Sequence, residues 1–275
     1  MSSVTGDASG PRLDAHGSVV SMIDGWTYLV GQYPNHEIQI EGPVRSFIAN
    51  VDNAFLNMLL VAEPVSEPAV FRAALAVAGK IMASCPYPTM LASVPAWYPA
   101  DGPDLFERHG FAPALDMWGM AASEILPSRR SEPDIDWRKI HEVQGSVDIG
   151  LVNAAAYDMD PAAFAMTENL HQWSGQHFAI VGYEGDTPVT AALAYVQEAQ
   201  IYVGWVATLP DRYGRGLGEA AMRRAIVAAQ EAAGRPLPIW LHATEMGRPL
   251  YRNMGFADTA LMRLHTWPGD TRVDG

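Results

Sequence analysis

The sequence predicts an α/β protein, specifically an α+β mixed sheet flanked by helices, and three observations carry that expectation. Three strand-like runs in the second half follow one another as an antiparallel meander. A glycine-rich turn, "DRYGRGLGEAAM", then opens a helical run where the meander ends. Finally, "PDLFERHGFAPALDMWGMA" returns as "RPLYRNMGFADTALMRLHT" at a constant offset of 145 residues, with Leu105, Phe106, Gly110, Phe111 and Ala112 matching Leu250, Tyr251, Gly255, Phe256 and Ala257. Self-similarity at a fixed spacing marks a duplicated unit, so each half is expected to form its own helix-flanked sheet.

The opening "MSSVTGDASGPRLDAHGS" is polar and has no apolar h-region, so residues 1–17 read as a flexible N-terminal tail and not as a signal peptide. Residues 18–126 form the first copy. At the same offset its "LNMLLVAEP" falls on the strand before the glycine turn, and "AVFRAALAVAGKIMA" falls near the following helix. The proline- and charge-rich stretch "EILPSRRSEPDIDW" supplies a linker, placed at 127–134. Residues 135–275 form the second copy. There "SVDIGLVNAAAYDMD" and "PAAFAMTENLHQW" read as helices, the latter opened by Pro161. Strands follow at Phe178–Tyr183, Thr187–Val196 and Gln200–Ala207, with turns at Gly185, Asp186 and Glu198. In the next helix Met222, Ile226, Ala229 and Ala233 recur at helical spacing, and Gly234 with Pro236 closes it. "LPIWLHA" is a further strand, "GRPLYRNM" a short helix and "ALMRLHTW" a last strand.

Composition narrows the functional classes. The 275 residues are 49% hydrophobic and 18% charged, which suits two modest globular domains or one large one. No apolar run approaches the ~18 residues of a membrane span. A single cysteine, Cys85, excludes an intramolecular disulfide, and a cytoplasmic location is expected. Cys85 lies beside Pro86 among apolar neighbours and reads as a buried thiol. With 31 acidic against 18 basic residues the net charge is −13, which opposes nucleic acid and anionic membranes as partners.

Against that negative field, the glycine turn stands out as an anion site. Gly214, Gly216 and Gly218 alternate just where a helix begins, although glycine costs about 1 kcal/mol against alanine inside a helix. A helix N-terminus offers unpaired N–H groups and the positive end of the macrodipole, and glycines let an anion reach them. Pyrophosphate suits such a cradle. The turn is no Walker loop, because GxxxxGK[ST] is absent, and its GxGxG spacing after an antiparallel meander is not the dinucleotide pattern.

"GWVATLPDRYGRGLGEAAMRRAI" followed by "LHATEMGRPLYRNMGF" resembles the GNAT superfamily of acyl-CoA-dependent N-acyltransferases. The likeness rests on Q/R-x-x-G-x-G/A opening a helix and on a later L-Y-x-x-x-G-F, and it covers roughly residues 135–267. The first half resembles the fold through its final segment, which implies two GNAT-like folds in tandem. Gly216 and Gly218 take the two glycine positions, and Tyr213 stands where Arg or Gln is usual. The resemblance implies acetyl-CoA as co-substrate, with no metal. Backbone amides across Gly214, Arg215, Gly216, Leu217, Gly218 and Glu219 are expected to hold its pyrophosphate, with Arg215 free to neutralise phosphate. Val206, Ala207 and Thr208 are expected to pair with the pantetheine arm. Tyr251 matches the general acid that protonates the departing thiolate, and Thr244 stands at a cofactor-binding asparagine.

Other positions depart from the pattern. The usual glutamate base is replaced by Tyr202, which leaves Glu198, His242, Glu245 or a water chain as alternatives. His171, Trp173 and His177 follow the helix that frames the acceptor pocket in the family. In the first copy the glycine turn becomes "PAVFRA", with Pro68, and Tyr251 becomes Phe106, so that copy is degenerate. The expected function is transfer of acetyl from acetyl-CoA to a primary amine on a small molecule or peptide, by direct attack in a ternary complex. No cysteine sits in the second half for a covalent intermediate. A longer acyl donor, a thiol-precursor acceptor as in tandem acyltransferases of actinobacterial thiol synthesis, or a non-catalytic acyl-CoA sensor remain alternatives. The sequence leaves the acceptor open and leaves room for a homodimer.

Overall fold

The computed structural model describes residues 13–172 and 175–267. It begins with α1 (Ala15–Val30), whose N-cap Asp14 accepts a hydrogen bond from the Gly17 amide at 2.9 Å. Val19, Met22, Trp26, Leu29 and Val30 form its buried side. α1 therefore takes in residues 15–17, which the sequence reading assigned to the tail; residues 1–12 lie outside the described residues. The rest of the first copy comprises β1 (Glu37–Glu41), β2 (Val44–Ile48), β3 (Asn57–Val61), α2 (Pro68–Ser84), β4 (Met90–Ser93), α3 (Gly102–Arg108) and β5 (Ala112–Ala122). The second comprises β6 (Asp136–Lys139), α4 (Val143–Tyr157), β7 (His177–Glu184), β8 (Thr187–Val196), β9 (Ile201–Thr208), α5 (Leu217–Ala233), β10 (Ile239–Thr244), α6 (Arg248–Asn253) and β11 (Ala257–Thr266).

The meander, α5 and the closing elements stand within a few residues of their predicted positions. One helix differs in kind. The segment after Asp160 is a 3-10 helix, Pro161–Gln172, where the sequence suggested an α-helix. Asp160 captures the entry, accepting from the Ala162 amide through its side chain at 2.8 Å and from the Ala163 amide through its carbonyl at 2.9 Å. That i→i+3 bond sets the tighter winding.

The eleven strands among the described residues join one sheet in the order β1-β2-β3-β4-β11-β5-β10-β9-β8-β7-β6. This corrects the expectation of one sheet per half. β11 pairs antiparallel with both β4 and β5, and β5 pairs antiparallel with β10. Each copy's last strand thus lies beside the other copy's penultimate strand. The exchange satisfies edge groups that two separate sheets would leave open. A bidentate pair fastens the exchanged strands, Arg263 to Asp116 at 2.7 and 2.9 Å. The largest core cluster also crosses the boundary, packing Val19, Met22 and Leu29 of α1 with Val181, Leu193 and Tyr202. Residues 127–134 have no regular structure, but Glu132 pairs with Arg224 of α5 at 2.6 Å, which holds the segment against the second copy.

Candidate active site

The site begins as a defect in the sheet. β9 and β10 run parallel and pair only at Ile201 with Ile239 and Tyr202 with Trp240. Beyond that β9 continues on β8 as far as Thr208, while β10 continues on β5 as far as Thr244. A bulge accompanies the separation: the β8–β9 register shifts between Leu193–Gly204 and Ala191–Ala207, with Trp205 in the left-handed region at φ 55°. The inner edge of β9 from Val203 to Thr208 therefore faces a gap rather than a strand.

The glycine turn crosses the mouth of this gap. Gly214 (φ 77°) and Gly216 (φ 79°) both adopt left-handed backbone that side chains resist. Gly218 has a different reason: a Cβ there would come within 3.1 Å of the Thr208 hydroxyl, so glycine lets α5 approach β9. Gly216 is the N-cap of α5 and provides no side-chain cap. The first-turn amides at Leu217, Gly218 and Glu219 consequently have no capping acceptor.

A cavity of about 580 Å³ lies against this turn. Its wall includes Val206, Ala207, Thr208, Gly214, Gly216, Leu217, Gly218, Glu219 and Tyr251, all singled out from sequence. Arg215 is not in the wall; its guanidinium pairs with Glu184 at 2.6 Å. Among the described residues the cations in the wall are Arg129 and Arg130, which precede the second copy, and Arg212, which is itself paired with Glu184 at 2.8 Å and with Asp211. Arg130 is held there by donating to the Gly214 carbonyl at 2.8 Å. No sequence pattern flagged Arg129 and Arg130, because they sit some 85 residues ahead of the turn beside which they lie. Thr208 has a local commitment, its hydroxyl sharing a hydrogen bond with Thr190 at 2.9 Å. Thr244 lies elsewhere, in a second cavity.

That second cavity, about 160 Å³, also borders Tyr251. Tyr157, Val206 and Tyr251 line both spaces. Tyr251 is 8% exposed, and burial pushes its pKa well above the ordinary phenol value, so its hydroxyl is protonated at neutral pH. Trp26, Leu29, Asn53, Phe55 and Leu56 of the first copy close the second cavity from above. Gly25 permits this contact, since a Cβ there would stand 3.0 Å from the Tyr202 ring.

The base candidates separate clearly. Tyr202 and His242 form a hydrogen bond at 2.7 Å through Nδ1, and His242 Nε2 meets the Ser18 hydroxyl of α1 at 3.1 Å. Burial lowers the His242 pKa to about 3, so the ring is neutral. Glu245 is exposed and accepts from the Trp118 indole at 2.7 Å. Glu198 is exposed in the β8–β9 turn, at the opposite end of β9 from the cradle. Trp173 lies outside the described residues, and His177 opens β7. Among the described residues there is no cluster of three metal-ligating side chains and no helix long and apolar enough to cross a membrane.

Residues 149–256 match the family model for the acetyltransferase (GNAT) family. No match was found among curated proteins. Among solved structures, a GCN5-related N-acetyltransferase from Kribbella flavida is 19% identical, with 93% of this chain and 96% of that chain covered and a TM-score of 0.67. A tandem GNAT protein from the clavulanic acid biosynthesis pathway is 10% identical, covering 93% and 96%, with a TM-score of 0.53. A putative GNAT-family acetyltransferase from Novosphingobium aromaticivorans is 15% identical, covering 83% and 89%, with a TM-score of 0.52. These likenesses are of fold, and the family match falls on the half that carries the glycine turn and Tyr251. Residues 149–256 thus carry a match to the GNAT acetyltransferase family, and the chain as a whole has the fold of a tandem GNAT protein.

Proposed function

We propose that the protein is an acetyl-CoA-dependent N-acetyltransferase that acetylates a primary amine by direct attack in a ternary complex. One observation carries the reading: Tyr251 stands where two cavities meet, one against an anion cradle and the other against the opened sheet. The residues present fit the co-substrate. A left-handed glycine turn, uncapped helix amides, three facing arginines and an unpaired β9 edge match a pyrophosphate followed by an amide-bearing arm. When bound, acetyl-CoA supplies an acyl group activated as a thioester.

The chain's own groups would then act as follows. The amides from Leu217 to Glu219, aided by Arg129, Arg130 and Arg212, bind the pyrophosphate. The backbone of Val206, Ala207 and Thr208 orients the pantetheine arm in place of a neighbouring strand. The protonated Tyr251 hydroxyl delivers its proton to sulfur as negative charge develops there. The acceptor approaches through the second cavity, under the first copy, and attacks without a covalent enzyme intermediate. In this reading residues 18–126 are a degenerate copy, 127–134 the linker and 135–275 the catalytic copy.

Replacing Gly216 with glutamate tests the cradle. The new side chain adds negative charge at a site built for an anion, and the left-handed φ adds roughly 1–2 kcal/mol of strain. Calorimetric titration should show acetyl-CoA affinity lost while circular dichroism remains that of a folded protein. Unchanged affinity would remove the cradle assignment.

A further inference from the structure

The described residues lining the second cavity include no carboxylate, ammonium or guanidinium. The walls are mainly apolar and aromatic, with Trp26 and Leu29 from α1, Phe55 ahead of β3, Phe164 from the 3-10 helix and Trp205 from the bulge. The titratable groups facing it are the hydroxyls of Tyr157 (α4), Tyr195 (β8), Tyr202 (β9) and Tyr251 (α6), with the imidazole of His242 (β10). α1, β5, the 3-10 turn Ala54–Leu56 ahead of β3 and the 3-10 helix Pro161–Gln172 add none to the wall. Burial raises the four phenol pKa values and lowers that of His242, so all five groups are neutral near pH 7.

An ammonium ion entering this space exchanges its hydration for walls without a counter-charge, which opposes entry of the charged form. Aromatic faces return only part of that loss. A second charge elsewhere on the acceptor would meet the same walls. Resting on the acyl-transfer reading above, we infer that the acceptor is a compact, otherwise uncharged aromatic or aliphatic amine taken into this cavity as the free base. The missing glutamate at Tyr202 then has a consequence for mechanism: the ammonium proton stays in solvent when the amine enters. The nitrogen lone pair forms the N–C bond as the C–S bond breaks, and the bonding pair leaves with sulfur. The proton that nitrogen releases replaces the one Tyr251 gives to sulfur, so products are the amide and the free thiol.

The test uses the full chain with acetyl-CoA and measures thiol release with two groups of amines. Benzylamine, phenethylamine and butylamine form one; spermidine, a lysine-bearing peptide and an aminoglycoside form the other. The expected result is a kcat/KM at least about tenfold higher for the first group. For two acceptors of one shape but different basicity, the rise of kcat/KM with pH should follow each acceptor's own pKa. Turnover confined to the charged group, or one pH profile shared by both acceptors, overturns the inference and leaves acyl transfer standing. Occupancy is read independently by quenching of tryptophan fluorescence, since Trp26 and Trp205 line the cavity. No thiol release together with no quenching by benzylamine also overturns it. Failure of acetyl-CoA to bind in calorimetry overturns the acyl-transfer reading itself.

Discussion

In the second copy β9 and β10 pair over two positions and then separate, and β9 carries a bulge against β8. In the first copy β3 and β4 pair at three positions, and β3 keeps an unbroken register with β2 from Ile48–Asn57 to Val44–Val61. The helix after β3 opens with Pro68 behind an uncapped Glu67, where its counterpart opens with the glycine turn. Phe106, the counterpart of Tyr251, is 3% exposed and packs with Phe71, Tyr98 and Phe111 at centroid distances of 5.3 to 5.9 Å. His265 of β11 stacks flat on it at 3.8 Å. The same element order therefore gives an open, polar-mouthed site in one copy and an aromatic plug in the other. The closed copy retains a task, because its α1 and the segment before β3 roof the second cavity.

Cutting the chain within the linker should have the largest effect. Each half would lose strand pairing on both exchanged strands and part of a shared core, so fragments 1–130 and 131–275 made separately should not fold. Produced together, they should associate and recover the far-ultraviolet circular dichroism of the intact chain. A well-folded 131–275 fragment that binds acetyl-CoA by itself would contradict this coupling.

Reciprocal exchange at the matched aromatic position comes next. Tyr251→Phe keeps the packing and removes the proton donor, so turnover should fall roughly 10²- to 10⁴-fold with acetyl-CoA affinity little changed. Phe106→Tyr places a hydroxyl among aromatic rings, which should cost about 1–3 kcal/mol in denaturant unfolding. Calorimetric stoichiometry should stay at one acetyl-CoA per chain. Activity of Tyr251→Phe within a few-fold of the parent would reduce Tyr251 to a packing residue.

The smallest effect separates two arginines beside the turn. Arg130→Ala should weaken acetyl-CoA binding by about 1 kcal/mol, roughly fivefold in Kd, with the difference shrinking as salt is raised. Arg215→Ala should change it by less than about twofold, because that side chain is paired with Glu184. Reversal of this order in a salt-dependent titration would return the phosphate contact to Arg215.

The sequence by itself determined the local features of the second copy. Alternation marked the meander, helical spacing marked α5, and Gly214 and Gly216 disclosed a turn whose backbone is left-handed at both positions. The offset of 145 residues paired Tyr251 with Phe106 and so identified the copy without the hydroxyl. These features rest on interactions within one element or between neighbours in the chain, and local residue choice reports them directly. Only the tertiary structure decided the exchange of β5 and β11, the two cavities meeting at Tyr251, the linker arginines at the cradle and the α1 roof above Tyr202 and His242. Each joins residues far apart in sequence. β5 and β11 both carry residues suited to a buried strand, and nothing in either names its neighbour. Strand choice is settled by the burial and pairing of the whole sheet, a sum that no short stretch of sequence contains.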